Sequence, residues 1–264
     1  MKIWVNTIVH NEENFIWFTL MSVVDYVDKM LIWDTGSTDK TVDIIKEIKK
    51  IKGKKIEFRE IGPVDKEQFT KSRQEMLDQS NSDWILILDG DEVWWNNSIK
   101  KLKNTIEKKG QDIEGIVVPM KVAVGDIYHT QEEIAGDYQL LGKKGHLSLK
   151  AFSKKIPGLH VKFPYGQEGF FDNENIPIQE GEDIFFLNAP FLHLTHLKRS
   201  SQKRRFNKFK YEIGDNVSEN FKFPEVFYKK FPSIVSSPWV RISGMDLTAA
   251  KFLTPLRKIK RRIS

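Results

Sequence analysis

The chain has 264 residues, a formal net charge of +6 at pH 7 and no cysteine. The absence of cysteine excludes a disulfide scaffold, a thiolate zinc site and a cysteine nucleophile. The length and the 40% of hydrophobic residues fit one large α/β domain, or a domain with an appendage. The first residues lack the apolar run of a signal peptide, and residues 184–197 are too polar to span a bilayer, so we expect a cytoplasmic protein.

The charge is distributed unevenly along the chain. Residues 198–264 contain 17 Lys and Arg and 5 Asp and Glu, a net charge of +12, which leaves −6 for residues 1–197. The pattern predicts a catalytic domain over 1–197 and a basic, mainly helical extension over 198–264. Aromatic and aliphatic residues between the basic clusters suit attachment to an anionic membrane surface, with a solvated helix face as the alternative. The tail matches no nucleic-acid-binding motif, so we expect no nucleic-acid partner.

The first hundred residues alternate short apolar runs with longer amphipathic runs. The pattern predicts strands over 3–9, 30–33, 56–61 and 84–88, separated by helices over 12–27, 42–51 and 69–77. Asn11 is the expected N-cap of the first helix. Such βαβ units predict an α/β fold with a doubly wound, mostly parallel sheet and helices on both faces. Farther along, the pattern predicts strands over 116–120, 147–152 and 190–197 and a basic helix from residue 200.

Three of the predicted strands end in polar motifs. These are Asn11-Glu12, the turn from Asp34 to Asp39, and Asp89-Gly90-Asp91-Glu92. Ligands bind beyond the carboxyl ends of the strands in an open parallel sheet, so we expect the three motifs to meet there. Carboxylates this close repel one another unless a cation lies between them, and Mg²⁺ or Mn²⁺ prefers oxygen ligands. The alternative for the Asp-Gly-Asp motif is a simple turn.

The ordered set of motifs resembles the family-2 glycosyltransferases of GT-A fold over residues 1–200. Val9-His10-Asn11-Glu12 is similar to the first strand of that family and its Asn-Glu pair. Asp34-Thr35-Gly36-Ser37-Thr38-Asp39 is similar to the acidic signature, with Thr35 in place of a second Asp. Phe69 to Arg73 resembles a further family stretch, and Leu88 to Glu92 matches the DxD motif. The subgroup most resembled is the bacterial cell-envelope type that modifies lipopolysaccharide core or capsule.

The resemblance implies a metal-dependent, inverting glycosyltransferase. A sugar would pass from a nucleotide-diphosphate donor, with a UDP-sugar favoured, to a hydroxyl of a cell-envelope glycan or lipid-linked acceptor. The donor-binding residues implied are Val9, Asn11, Glu12, Asp34, Ser37, Arg73 and Asp89. Asp34 would hydrogen-bond the nucleotide base, and Asp89 would contact the ribose or a water on the metal. Asp91 would bind the Mn²⁺ or Mg²⁺ that neutralises the departing diphosphate.

An inverting transfer also needs a base that deprotonates the acceptor hydroxyl. The related subgroup has an Arg-containing strand followed by a Gly-x-x-His-Glu element. Here Lys150 stands in place of that Arg, and Tyr165-Gly166-Gln167-Glu168 takes the place of the second element. Glu168 is therefore the expected base, and a surface loop carboxylate is the alternative. Its competitors are Glu133, Asp137 and Asp172.

A late histidine often completes the metal or diphosphate site in GT-A enzymes. His193 and His196 share one predicted strand, and their separation of three puts them on opposite faces. His196, at the strand end, is the first choice and His193 the second, with a structural histidine as the alternative for each. Basic residues from Lys198 to Arg204 are another possible diphosphate clamp. Trp94 and Trp95 are expected to pack in the core rather than against a sugar.

Two other classes of function remain open from the sequence. A nucleotidyltransferase shares the sheet type and an acidic metal site, but it usually carries a Gly-rich basic loop after the first strand. That place is occupied here by His10-Asn11-Glu12-Glu13, which is acidic and lacks glycine. A non-enzymatic adaptor that binds membranes or nucleic acid is the second alternative, and it predicts no stabilisation by UDP with Mn²⁺.

Overall fold

The computed structural model describes residues 1–198 and 211–263. The helices in these ranges are α1 (Ile16–Val23), α2 (Thr41–Lys52), α3 (Lys66–Gln79), α4 (Asn96–Lys109) and α5 (Gly244–Ile263). The strands are β1 (Ile3–Val9), β2 (Lys29–Asp34), β3 (Ile56–Glu60), β4 (Trp84–Ile87), β5 (Glu92–Trp94), β6 (Gly115–Val124), β7 (Asp126–Thr130), β8 (Tyr138–Leu140), β9 (Lys143–Gly145), β10 (Leu147–Ser153), β11 (His160–Lys162), β12 (Gly169–Phe171), β13 (Ile184–Phe186), β14 (Phe191–His196) and β15 (Asp215–Asn216). The basic helix expected from residue 200 falls mostly outside the described residues.

A mixed sheet forms the centre of the described part of the chain. Its 11 strands include the run β15-β7-β6-β10-β4-β1-β2-β3, and β5, β13 and β14 pair beside that run. β4, β1, β2 and β3 are parallel, as the alternation of strands and helices predicted. β10 then inserts antiparallel between β4 and β6. The expected α/β fold with a mostly parallel central sheet is therefore confirmed.

The parallel half is built from apolar strands packed against helices, and α1 is itself buried at seven of its eight residues. All four residues of β4 are buried, as expected for a strand with neighbours on both sides.

α1 is shorter than predicted, and its N-cap is Phe15 rather than Asn11. Asn11 is unavailable for that role because it has a positive φ of 56° and its Oδ1 accepts from the Thr38 amide. Asn11 therefore stabilises the loop after β1 instead of starting a helix.

The two tryptophans after the Asp-Gly-Asp motif pack against protein. Trp94 is fully buried and stacks on Phe191, with ring centroids 5.3 Å apart. The half-buried Trp95 donates its Nε1–H to the Lys222 carbonyl at 2.7 Å. Their assignment to packing rather than to a sugar platform is therefore consistent with the contacts they make.

The described part of the basic extension packs on the sheet domain. Phe227 is buried in the principal core, and its ring meets that of Phe18 on α1 edge-to-face at 5.1 Å. Burying a side chain of this size contributes about 1.5–3 kcal/mol. A separate folding unit that begins at residue 198 stays a prediction. None of the described helices is long and apolar enough to cross a membrane.

Candidate active site

The loop that follows β1 is hydrogen-bonded to the loop that follows β2. The parallel register of the two strands ends with Val9 opposite Asp34. Beyond that point the Asn11 amide donates to the Ser37 hydroxyl at 2.8 Å, and the Thr38 amide donates to Asn11 Oδ1 at 2.7 Å. These bonds stabilise the two loops as one unit at the carboxyl edge of the sheet.

Asp34 is part of this hydrogen-bonded unit. Its Oδ1 accepts from the amides of Gly36 and Ser37 at 3.0 and 2.9 Å, and its Oδ2 accepts from the Ser37 hydroxyl. The residue is only 2% exposed. An aspartate that binds amides two and three residues ahead forms an Asx-type turn, so Asp34 stabilises the shape of its own loop. Its contact with a nucleotide base stays a prediction.

The Asp-Gly-Asp motif lies between β4 and β5 at the same edge. Asp89 accepts a hydrogen bond from Arg73 of α3 at 3.1 Å, and Asp91 Oδ2 lies 3.4 Å from His193 Nε2. A side chain at Gly90 would come within 2.8 Å of Glu12 Cγ, so the close approach of the two loops requires glycine there. The motif is therefore more than a free turn, because its two carboxylates each face a basic partner.

A buried ion pair supports this loop from behind. Lys150 on β10 donates to both carboxylate oxygens of Glu92, at 2.6 and 2.7 Å, and the two side chains are 4% and 2% exposed. Glu92 Oε2 also accepts from the Asp89 amide at 3.1 Å, which joins the pair to the motif. Burial raises the pKa of Glu92, and the charge of Lys150 offsets only part of that rise.

The same positive charges act on Asp89. Burial by itself would raise the pKa of Asp89, but the Lys150 ammonium and the Arg73 guanidinium outweigh it and hold the pKa below its ordinary value. Asp89 therefore stays ionised at neutral pH. Sequence reasoning treated Lys150 only as a replacement for an arginine and missed its pairing with Glu92. The available signal was one charged residue in the run Leu149-Lys150-Ala151-Phe152, because a buried lysine requires a partner.

Only one of the two candidate histidines lies at the motif. β14 runs antiparallel to β5 with His193 opposite Glu92, and this register brings His193 to Asp91. His196 pairs with Val124 of β6, beyond a register shift, and does not line the cleft described below. The geometry therefore favours His193, the second choice from sequence. Burial alone would lower the pKa of His193, but the Asp91 carboxylate outweighs it and raises the pKa.

An open cleft with a volume of about 770 Å³ lies along this edge of the sheet. Seven of the candidate residues line it, namely Val9, Glu12, Arg73, Asp89, Asp91, Glu168 and His193. Asn11, Asp34, Ser37 and His196 lie outside its lining. Sequence reasoning missed two aromatic walls, Tyr138 and Tyr165, because the segments that carry them lack a regular polarity pattern. The cleft therefore joins acidic, basic and aromatic side chains from six separate parts of the chain.

Glu168 reaches the cleft on the connection between β11 and β12. This connection packs on α3, where the Tyr165 amide donates to the Lys66 carbonyl at 3.2 Å and the Tyr165 ring lies 4.6 Å from that of Phe69. Glu168 itself accepts from the Gly166 amide. Since Arg73 lies one turn beyond Phe69 on α3, one helix supports both Glu168 and the Asp89 contact.

The competitors for the role of base lie elsewhere. Asp172 accepts from the amides of Glu174 and Ile176 in a turn, and Glu133 forms an ion pair with Lys121 at 2.9 Å. Neither of them, nor Asp137, lines the cleft. Of the four carboxylates considered, Glu168 alone faces the same space as Asp89 and Asp91.

Two adjacent side chains of the cleft are candidate metal ligands. Over residues 1–198 and 211–263, no group of three or more carboxylate and imidazole side chains could hold a metal ion. Asp91 and His193 nevertheless supply an oxygen and a nitrogen close together. Mg²⁺ in phosphate-binding sites typically uses one or two carboxylates and completes its coordination with substrate phosphates and water. The donor set therefore fits a metal that arrives with a diphosphate.

Solved structures similar to this chain share its fold at low sequence identity. S. aureus TarS (residues 1–349), crystallised with UDP-GlcNAc, aligns with a TM-score of 0.51 at 15% identity over 75% of this chain and 60% of that one. The same fragment in another crystal aligns with a TM-score of 0.50 at 14% identity over 74% and 61% of the two chains. These alignments confirm the expected GT-A fold.

Sequence comparisons identify the family. A curated TPR repeat-containing protein of Synechococcus elongatus is 34% identical over 85 residues, which are 32% of this chain and 19% of that protein. This chain thus matches less than a fifth of that relative's length. The family model described as "Glycosyl transferase family 2" matches residues 4–173, more than half of the chain. The chain therefore belongs to glycosyl transferase family 2.

Proposed function

We propose that this protein is a metal-dependent, inverting glycosyltransferase that uses a nucleotide-diphosphate sugar. The observation that carries the proposal is the shared cleft of Asp91, His193 and Glu168. A donor bound through its diphosphate at Asp91 and His193 would leave its sugar in the same space that Glu168 faces. The family match and the GT-A fold support the same reaction class.

The proposed donor site is built on the carboxyl edge of the parallel strands. Asp91 and His193 would hold Mn²⁺ or Mg²⁺, and the ion would supply positive charge to the departing diphosphate. Arg73 and Lys150 keep Asp89 ionised, which suits it to accept hydrogen bonds from a ribose or from water. Val9 and Glu12 line the cleft beside Gly90, and Asn11, Asp34 and Ser37 stabilise the neighbouring loops. A UDP-sugar is favoured because S. aureus TarS, of the same fold, was crystallised with UDP-GlcNAc.

Glu168 is the proposed base. The acceptor hydroxyl oxygen attacks the anomeric carbon as the bond between that carbon and the diphosphate oxygen breaks. UDP departs with the bonding electron pair, and Glu168 takes the hydroxyl proton. Attack on the face opposite the leaving group inverts the anomeric configuration. Tyr138 and Tyr165 offer aromatic surfaces to the sugars near this point.

The proposed acceptor is a hydroxyl of a cell-envelope glycan or of a lipid-linked sugar. The charge distribution of the chain supports this choice, since a +12 extension follows the catalytic domain. A protein with such an extension can concentrate at an anionic membrane surface, where lipid-linked acceptors lie. We place its work at the cytoplasmic face of the membrane.

UDP binding with and without Mn²⁺ is the first test. We expect UDP plus Mn²⁺ to raise the melting temperature, and a ligand at 100 times its Kd stabilises a protein by about 2.7 kcal/mol. The shift should be larger than with UDP alone or with GDP. A nucleotidyltransferase would instead respond to a nucleoside triphosphate, and an adaptor would respond to none of these ligands. No response to UDP and Mn²⁺ would refute the proposal.

Glu168→Gln tests the assignment of the base. We expect transfer to fall by on the order of 100-fold or more, because general base catalysis contributes that much, whereas the UDP shift stays unchanged. Asp172→Asn is the matched control, because Asp172 lies outside the cleft, and it should retain transfer. An active Glu168→Gln enzyme would exclude Glu168 as the base.

A further inference from the structure

The C-terminal helix α5 has one face that packs on the protein. Ala250 and Thr254 are buried there, and Arg261 donates to both oxygens of Glu212 at 2.7 and 2.6 Å. Lys258 reaches Asp215 at 2.7 Å. These two basic residues are therefore engaged in ion pairs with the body of the protein, and they stabilise the position of α5.

The opposite face of α5 is apolar and exposed. Its large side chains are between 54% and 89% exposed, and they are Met245, Phe252, Leu256, Ile259 and Ile263. Their positions are separated by seven, four, three and four residues, so they form a single stripe along the helix. An exposed apolar stripe of this length is unfavourable in water and marks an interaction surface.

Basic residues flank the exposed stripe. Lys251 and Arg262 lie along one side of it and Lys260 along the other, as the helical repeat of 100° per residue requires. All three are exposed, and none forms an ion pair with another described residue. The single acidic residue of α5, Asp246, lies 3.5 Å from Lys198 in the first turn of the helix, far along the helix from Lys260 and Arg262. The exposed face of α5 is therefore both apolar and positively charged.

We propose that this face of α5 is the membrane-binding surface of the protein, with Phe252, Leu256 and Ile259 in the interfacial region and Lys251, Lys260 and Arg262 at anionic headgroups. The proposal deepens the membrane role in the proposed function and rests on it. A helix with an apolar face between basic residues lies in the plane of an anionic membrane. α5 is not apolar enough to cross a membrane.

Charge complementarity favours lipid over a second copy of the chain. The apolar positions of α5 follow a heptad-like spacing, which could also pair two helices. In a parallel pair of α5 helices, Lys260 and Arg262 of one helix would lie near the basic C-terminal end of the other. These like charges would repel one another. Anionic headgroups neutralise the same residues without repulsion. The lipid surface is therefore the occupant that both the apolar and the charged residues fit.

Vesicle flotation of the full chain tests the proposal. We expect binding to phosphatidylcholine vesicles that contain about one third phosphatidylglycerol, and no binding to pure phosphatidylcholine. Replacing Lys251, Lys260 and Arg262 by Gln should weaken binding roughly 100-fold. Each basic side chain near an anionic surface raises the membrane affinity by on the order of fivefold. Phe252→Ser with Ile259→Ser should weaken it at least about tenfold. The matched control replaces Lys100, Lys101 and Lys108 of α4, which are exposed and carry the same charge, and it should bind normally.

Several outcomes would overturn the proposal. These are no vesicle binding, equal binding to neutral vesicles, an equal loss in the α4 control, or a dimer in sedimentation that Phe252→Ser dissociates. Stabilisation by UDP and Mn²⁺ is measured on the same samples, and it should persist in the α5 variants. A protein that binds UDP but no vesicles fails this proposal and the membrane placement but keeps the proposed transfer reaction. A protein that binds vesicles but no UDP fails the proposed transfer reaction.

Discussion

The loops after β2 and β4 present aspartates at the same edge of the sheet, yet the two loops use them differently. Asp34 accepts three hydrogen bonds from its own loop and lies outside the lining of the cleft. Asp89 and Asp91 face a cleft, and their partners are the charged side chains Arg73 and His193 from distant elements. A carboxylate such as Asp34, whose hydrogen bonds come from nearby amides, stabilises its own loop. A carboxylate such as Asp89 or Asp91, which pairs with a basic side chain and lines a cleft, can exchange that partner for a ligand.

The largest expected effect comes from removing Asp91, a carboxylate that lines the cleft. Asp91→Ala should lower transfer by on the order of 1,000-fold, because the metal proposed to neutralise the departing diphosphate would lose its carboxylate ligand. Stability should change little. Steady-state transfer and Mn²⁺-dependent UDP binding measure the effect. Undiminished turnover would remove Asp91 from the metal site and erase the contrast with Asp34.

Sequence patterns predicted the motifs at the sheet edge but could not separate these two roles. All three motifs were expected at one edge because parallel strands end together, and they lie there. Whether Asp34 faces its own loop depends on the backbone of residues 35–37, including a φ of 82° at Gly36. Glycine can adopt such a φ, but a glycine in the sequence does not by itself predict that φ. The motif therefore predicts where a carboxylate lies but not which group it contacts.

Contacts between distant segments were the least predictable part of the site. The choice between His193 and His196 depends on the register of β14 against β5 and on the shift that follows. The Lys150–Glu92 pair joins residues 58 positions apart on strands that are not consecutive. Local polarity patterns carry no information on such pairings, although a lysine in an apolar strand does indicate that a partner exists.

The support behind the Asp-Gly-Asp loop gives the next largest effect. Lys150→Met should destabilise the fold by about 3 kcal/mol, because it leaves Glu92 buried without its cation, and uptake of a proton by Glu92 limits the loss. Urea unfolding measures the change. Adding Glu92→Gln should recover part of the stability, since Gln carries no charge and can still accept from the Asp89 amide.

A more exposed ion pair provides the control for this measurement. Lys258 and Asp215 are equally close, at 2.7 Å, but their side chains are 28% and 62% exposed. Lys258→Met should therefore cost no more than about 1 kcal/mol. Equal losses at Lys150 and Lys258 would show that burial of the Glu92 pair contributes nothing to the stability of the loop.

Asp34→Ala should reverse the pattern of Asp91→Ala. The substitution removes the acceptor of two amides and one hydroxyl, so we expect a loss of about 2 kcal/mol of stability in urea unfolding. Asp34→Asn keeps Oδ1 for the two amides and should cost less. If Asp34→Asn instead leaves stability intact and abolishes UDP binding, then Asp34 contacts the nucleotide, as the family resemblance implied, and the two loops share one role.

The smallest expected effect is the pH dependence of the His193–Asp91 pair. The pKa of His193 is raised in the folded protein, so protonated His193 binds Asp91 and stabilises the fold below the ordinary histidine pKa. This contribution is lost as pH rises through the folded pKa of His193. The stability difference between the protein and His193→Gln should therefore be larger at low pH than at high pH.

Metal binding should depend on pH in the opposite direction, because an imidazole binds a metal only after it loses its proton. Affinity for Mn²⁺ in the presence of UDP should accordingly rise as pH rises through the pKa of His193. In His193→Gln this rise should disappear, whereas His196→Gln should retain it, since His196 lies outside the cleft. A rise that is lost in His196→Gln and kept in His193→Gln would exchange the roles of the two histidines.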